Sequence, residues 1–237
     1  MNIHDTILRE TLAALPEPSR AWEYRKERSA PELMQNELLL LRDTAYELGG
    51  SGLSSVAYTC VTTDPNAFPG DRILLFGPDL PEISCDVPFA RITLVGLAED
   101  PEDATAAYRT VREIELEKYR ISPKGYMIRA SALDEREQVR VGKDAVRRKL
   151  SLEQIGDLMI QKHKRNPQVR QVSVLFITKK SDVFSELKRQ AKRVQEITRA
   201  LNKIMTPGDI DCKSCNLKAI CDQVEDLRKL HFRQKQP

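Results

Sequence analysis

The sequence predicts an α/β protein: a mixed sheet flanked by helices, with a helical N-terminal extension and a short cysteine-containing helical C-terminal tail. Three observations predict it. Strand-type and helix-type apolar patterns alternate from about residue 51 to residue 203. The 237 residues suffice for one sizeable core with extensions. Three of the five cysteines crowd into positions 212 to 221, after the last long helical pattern. The organisation read from this is an extension over 1–50, an α/β core over 51–203 and a tail over 204–237.

In the extension, Ile3, Ile7, Leu8, Leu12 and Leu15 recur at helical spacing, and Pro16 and Pro18 stop that helix. A second helix is expected over 31–48, with Pro31 suited to its first turn and Gly49-Gly50-Ser51-Gly52 as its stop. That glycine cluster lacks both G-x-G-x-x-G and a G-K-[ST] ending, so it is not read as a phosphate loop.

In the core, strands are expected over 55–62, 72–76 and 88–97, the second closed by Gly77-Pro78-Asp79. A helix follows from Asp100 to about Tyr119, its acids at the positive end of the dipole. Short strands are expected over 126–130 and 138–141. Ser151 heads a capping pattern with Gln154, opening a helix to about Lys164. Val172, Val174 and Phe176 alternate with Gln171, Ser173 and Leu175 in the strongest strand, 169–177. Ser181 caps a long charged helix, 182–203. The stretch 206–209 links it to the cysteines, and a last helix is expected over 222–232.

The cysteine segment reads C-x2-C-x5-C, with Cys212, Cys215 and Cys221. A C-x2-C turn brings two sulfurs near one ion, and soft thiolates select an iron–sulfur cluster or zinc over hard cations. The set is one short of four. Cys85, Cys60, His231 and a cysteine of another chain are the candidates for the fourth ligand. Cys85 sits on a loop in Ser84-Cys85-Asp86 that could fold over the centre. Cys60 lies within a strand pattern and reads as a small buried hydrophobe. His163, between Lys162 and Lys164, is expected to be exposed.

Charge excludes some classes. The formal net charge is only +3 and aromatics are few, so no nucleic-acid partner is expected. The N-terminus lacks the pattern of a signal peptide, and runs such as Leu38-Leu39-Leu40-Leu41 are too short to cross a membrane. A cytoplasmic protein with reduced or metal-bound cysteines is expected. Lys188, Arg189, Lys192, Arg193 and Arg199 share a helix with Glu186 and Glu196, which reads as a solvated face or a docking surface for an acidic partner. Glu186-Leu187-Lys188 spells E-x-K, but inside a helix, which argues against an iron–sulfur-stapled nuclease.

Residues 54–203 resemble the central domain of acetyl-CoA synthase, the β subunit of the CO dehydrogenase/acetyl-CoA synthase complex. The resemblance is carried by Gly77-Pro78-Asp79-Leu80-Pro81-Glu82-Ile83 after the strand 72–76, similar to that domain's strand and G-P-D turn. It is carried also by Lys143-Asp144-Ala145-Val146 and Leu152-Glu153-Gln154-Ile155-Gly156-Asp157-Leu158, similar to K-E-A-V and H-I-G-E-I-L. The strand 169–177 and the helix after it fit the pair that ends the domain. The resemblance implies a role in CO and one-carbon metabolism, with CO dehydrogenase or a corrinoid protein as partner. It implies coenzyme A as a ligand, its phosphates taken by arginines near an aromatic residue. Here that stretch holds Tyr126, Arg129, Arg140 and Lys143, with Arg147, Arg148 and Lys149 beyond. The family's tryptophan has no counterpart, since the only Trp is Trp22. The family's nickel centre uses a C-G-C element. This chain has no C-x-C, so an accessory or binding module is expected rather than a complete synthase.

Overall fold

The computed structural model describes residues 2–27, 31–34, 37–50, 52–130, 136–205, 212 and 214–234. The 206–209 linker and the side chain of His231 lie outside the described residues. The chain runs α1 (Asp5–Ala14), β1 (Arg20–Glu23), β2 (Ala45–Leu48), β3 (Ser55–Thr62), β4 (Arg72–Phe76), β5 (Phe89–Leu97), α2 (Ala104–Leu116), β6 (Tyr126–Ala130), β7 (Glu137–Gly142), α3 (Lys143–Arg147), α4 (Leu152–His163), β8 (Val169–Ile177), α5 (Val183–Met205), α6 (Lys218–Gln223) and α7 (Glu225–Gln234).

The main sheet is mixed, in the order β1-β4-β8-β5-β3. β4 and β8 are parallel, as are β3 and β5, while β5 and β8 are antiparallel. β3 and β5 are buried along their whole lengths. β8, paired on both sides, is buried from Val172 onward, so its alternating pattern does not mark a wet face. The helices α1, α2 and α5 pack on β3, and α4 packs on β4 and β8. Ser151 accepts from the Gln154 amide while the Gln154 side chain accepts from the Ser151 amide, the capping box that the sequence predicts.

A second, antiparallel sheet has the order β2-β7-β6. It joins the first where Val87 bridges Leu48, and where Ser55 Oγ donates to the Glu137 carbonyl at 2.5 Å.

Among the described residues of 31–48 the expected helix does not form. Its backbone groups find partners elsewhere in the chain. Met34 donates to the Ser122 carbonyl, Lys124 to that of Glu32, and the guanidinium of Arg140 to those of Leu39 and Leu40. The strand β2 then pairs with β7. In the four-leucine run Leu39 is half-buried, while Leu38, Leu40 and Leu41 are exposed. Gly49-Gly50 therefore ends a strand, not a helix.

One close approach fixes α4. A Cβ on Gly156 would lie 2.6 Å from Ile73 Cγ1 and 2.9 Å from its Cγ2. Ile73 is fully buried in β4, and its branched side chain has little freedom to yield. Gly156→Ala gains helix propensity of about 1 kcal/mol but overpacks this contact at about 1–3 kcal/mol. A net loss is expected, read as a lowered midpoint in thermal unfolding. A raised midpoint would mean that the helix can shift freely on the sheet.

Candidate thiolate site

The tail is anchored by its apolar residues. Ile220, Leu227 and Leu230 are buried and continuous with the main core, and α6 and α7 pack on α5. Asn2 adds a tie, its amide donating to Asp226 Oδ2 at 2.7 Å. This docking sets the cysteines against the end of α5. Cys212, Cys215 and Cys221 all line one cavity of about 160 Å³, together with Ala200, Lys203 and Ile204 of α5. Lys203 Nζ stands 3.3 Å from Cys215 Sγ, and Lys218 and Arg228 also border the cavity. Burial, and then the charges of Cys215, Asp222 and Cys212, push the Cys221 thiol up. Among the described residues none of the three cysteines is in a disulfide. Among the described residues, no three His, Cys, Asp or Glu side chains already stand as a metal-ligand group. The three thiols share a cavity without being closed around a point.

Of the fourth-ligand candidates, Cys85 and Cys60 lie elsewhere, and the side chain of His231 is outside the described residues. Cys85 is exposed on the loop leading into the N-terminal end of β5. The tail sits near Asn2, which contacts Thr63 just past the C-terminal end of β3, a strand parallel to β5. The length of β5, about 30 Å at 3.3 Å per residue, separates the two ends. Cys60 is fully buried in β3, and burial pushes its thiol well up, as befits a small core hydrophobe.

The residues expected to take coenzyme A phosphates gather on the second sheet. Arg140 donates to Glu47 Oε1 at 3.0 and 2.7 Å and to the Leu39 and Leu40 carbonyls at 2.9 and 2.8 Å. Its fork is committed to holding the 37–41 segment on the sheet. Arg129, 44% exposed, lies 3.7 Å from the same carboxylate, and Lys143 sits 5.3 Å over the Tyr46 ring.

The expectation for His163 is corrected: it is buried, and its Nδ1–H donates to the Met159 carbonyl at 2.7 Å. The flanking lysines report the surface, but helical geometry turns position 163 inward. Burial holds its pKa below the ordinary value.

A charged network that sequence reading did not mark lies under the second sheet. Arg91, in β5, donates to both Glu137 carboxylate oxygens at 2.7 Å and to Thr93 Oγ1 at 2.6 Å. Both partners are at most 2% exposed. Lys118 Nζ approaches Glu137 Oε2 at 3.5 Å. Burial alone would raise the Glu137 carboxyl, but Arg91 and then Lys118 outweigh it and hold it low. The available signal was an arginine inside the apolar run of β5, since a charge there requires a buried partner.

No protein-family model matches the chain, and no curated protein matches it.

Proposed function

We propose that this chain is an accessory protein of CO and one-carbon metabolism, related to the acetyl-CoA synthase β subunit, whose tail holds an iron–sulfur centre on Cys212, Cys215 and Cys221. The observation that carries the proposal is the convergence of these three thiols on a single cavity beside Lys203, Lys218 and Arg228. Thiolates bound to iron and sulfide form an anionic centre, which nearby ammonium and guanidinium groups stabilise. Since the thiols are not yet closed around a point, binding would draw the Cys212–Cys215 turn and α6 together, coupling metal to local folding. When bound, such a centre supplies one-electron transfer, and CO dehydrogenase or a corrinoid protein is the proposed partner. The fourth ligand would come from His231, from the partner, from another chain or from a small molecule, since Cys85 and the tail stand at opposite ends of the sheet.

The absence of C-x-C argues against acetyl-CoA formation by this chain alone. With Arg140 committed to Glu47, coenzyme A binding would rest on Arg129 and Lys143. A cytoplasmic site of action is part of the same proposal. Among the described residues, no helix is long and apolar enough to cross a membrane.

A structural zinc clip is the second reading. It is favoured by the way Ile220, Leu227 and Leu230 stitch the tail into the core. Metal and acid-labile sulfide analysis of anaerobically purified protein separates the two, run beside a Cys212→Ser/Cys215→Ser variant. Iron with sulfide, lost in the variant, is the expected result. Zinc without sulfide makes the tail a clip. Nickel beside iron returns the synthase reading, and protein free of metal refutes the centre altogether.

A further inference from the structure

The groove between α2 and α5, over β3, encloses about 220 Å³. It belongs neither to the thiolate site nor to the second sheet's arginines. Its apolar walls include Val111 of α2, Val194 of α5 and the ring of Tyr119. Its polar side is formed by Lys118, Arg136 and Thr59. Arg112 and Glu115 also border it but pair with each other at 2.6 Å and cancel.

The electrostatics of this cavity are one-sided. Both oxygens of Glu137 accept from Arg91 at 2.7 Å, and Lys118 Nζ stands 3.5 Å from Oε2 and 4.9 Å from the centre of the Tyr119 ring. Two cations thus share one anion, and one positive charge is left in excess in a place where Lys118 is only 11% exposed. Beside it, Arg136 makes no ion pair among the described residues. The excess charge on the largely buried Lys118 is costly to shelter from water, and an anion in the groove offsets it.

We propose that the α2–α5 groove binds a small organic carboxylate, its head group held by Lys118 and Arg136 and its apolar body lying between Val111, Val194 and Tyr119. The size of the groove, below that of typical drug-sized pockets of about 300–1,000 Å³, limits the ligand to a small molecule. A carboxylate has two oxygens, one for each of the two cations, Lys118 and Arg136. The planar fork of Arg136 suits a carboxylate, and Lys118 supplies a point charge. Thr59 adds a hydroxyl at the wall.

Benzoate is the probe, with benzyl alcohol as its neutral counterpart and inorganic phosphate as the anion without an apolar body. Amide chemical shifts are followed on the full chain. Benzoate is expected to move Thr59, Lys118 and Val194 saturably, whereas benzyl alcohol leaves them unmoved. Arg136→Gln and Lys118→Met are each expected to weaken benzoate by about tenfold or more, the loss of one charged hydrogen bond. Circular dichroism checks that both variants are folded, and Arg136, at the surface, is the one least able to disturb the core. Equal shifts from benzyl alcohol, unchanged benzoate affinity in both folded variants, or no saturable response at these amides would overturn the proposal. Shifts from phosphate but not from benzoate would overturn the carboxylate assignment.

Discussion

Glu137→Ala is expected to cost about 3–5 kcal/mol, the range for removing one partner of a buried pair. Arg91, 1% exposed, would keep its charge with only Thr93 Oγ1 as a partner. Lys118 would add a second unmatched cation at the same place. A domain of this kind holds a margin of about 5–15 kcal/mol, so the loss should be plain in urea unfolding. The position matters for architecture as well. The Glu137 backbone accepts from Ser55 Oγ and donates back to it, which ties β7 to the start of β3. The alanine variant keeps those bonds, so the measured loss reports the ion pair. The control is the double variant Arg91→Met/Glu137→Leu. Replacing both charges with apolar groups is often neutral or stabilising, and Lys118 can extend toward the groove to keep its ammonium wet. The double variant should therefore recover most of the lost stability. An alanine variant within about 1 kcal/mol of wild type would mean that Arg91 reaches solvent.

The Arg91–Glu137 pair also shows where sequence reading stops. Strands and caps were legible because their signals are local. The apolar run that became β5, the Ser151–Gln154 box and the helical spacing of α5 each lie within a few residues. The 31–48 segment misled because its leucines fit a helix as well as a strand. What decides its conformation is pairing with β7 and the carbonyl contacts of Arg140, about 100 positions away in sequence. The grouping of Cys212, Cys215 and Cys221 was legible for the same reason as the caps, since C-x2-C-x5-C is written in one short stretch. The contribution of α5, with Lys203 beside Cys215, was not. The α2–α5 groove was invisible because β3, α2, α5 and the residue before β7 meet there only after folding.

Acidification below neutral pH is expected to destabilise the fold through His4, and the sign follows from its hydrogen bond. Its Nδ1 accepts from the Val61 amide at 3.0 Å, so the neutral ring carries its proton on Nε2, which has no partner among the described residues. Protonation of Nδ1 would remove that acceptor and charge a fully buried ring. Burial accordingly lowers the His4 pKa from 6.5 to about 4. Between those values the unfolded chain takes up a proton that the folded chain refuses. The stability conferred by neutral His4 is complete above pH 6.5 and is lost as pH falls toward about 4. At about 1.4 kcal/mol per unit, the loss is roughly 2 kcal/mol from pH 7 to pH 5 and roughly 3 by pH 4. His163, also buried with a lowered pKa, acts in the same direction. Asp5 and Asp79, whose carboxyls are raised by burial, act in the opposite direction. Urea unfolding at pH 7 and pH 5 is therefore compared between wild type and a variant without the His4 ring. His4→Gln offers an amide oxygen to Val61 and cannot titrate, so its stability should fall less between the two pH values, and the difference is the His4 share. An identical fall in both proteins would locate the acid sensitivity elsewhere.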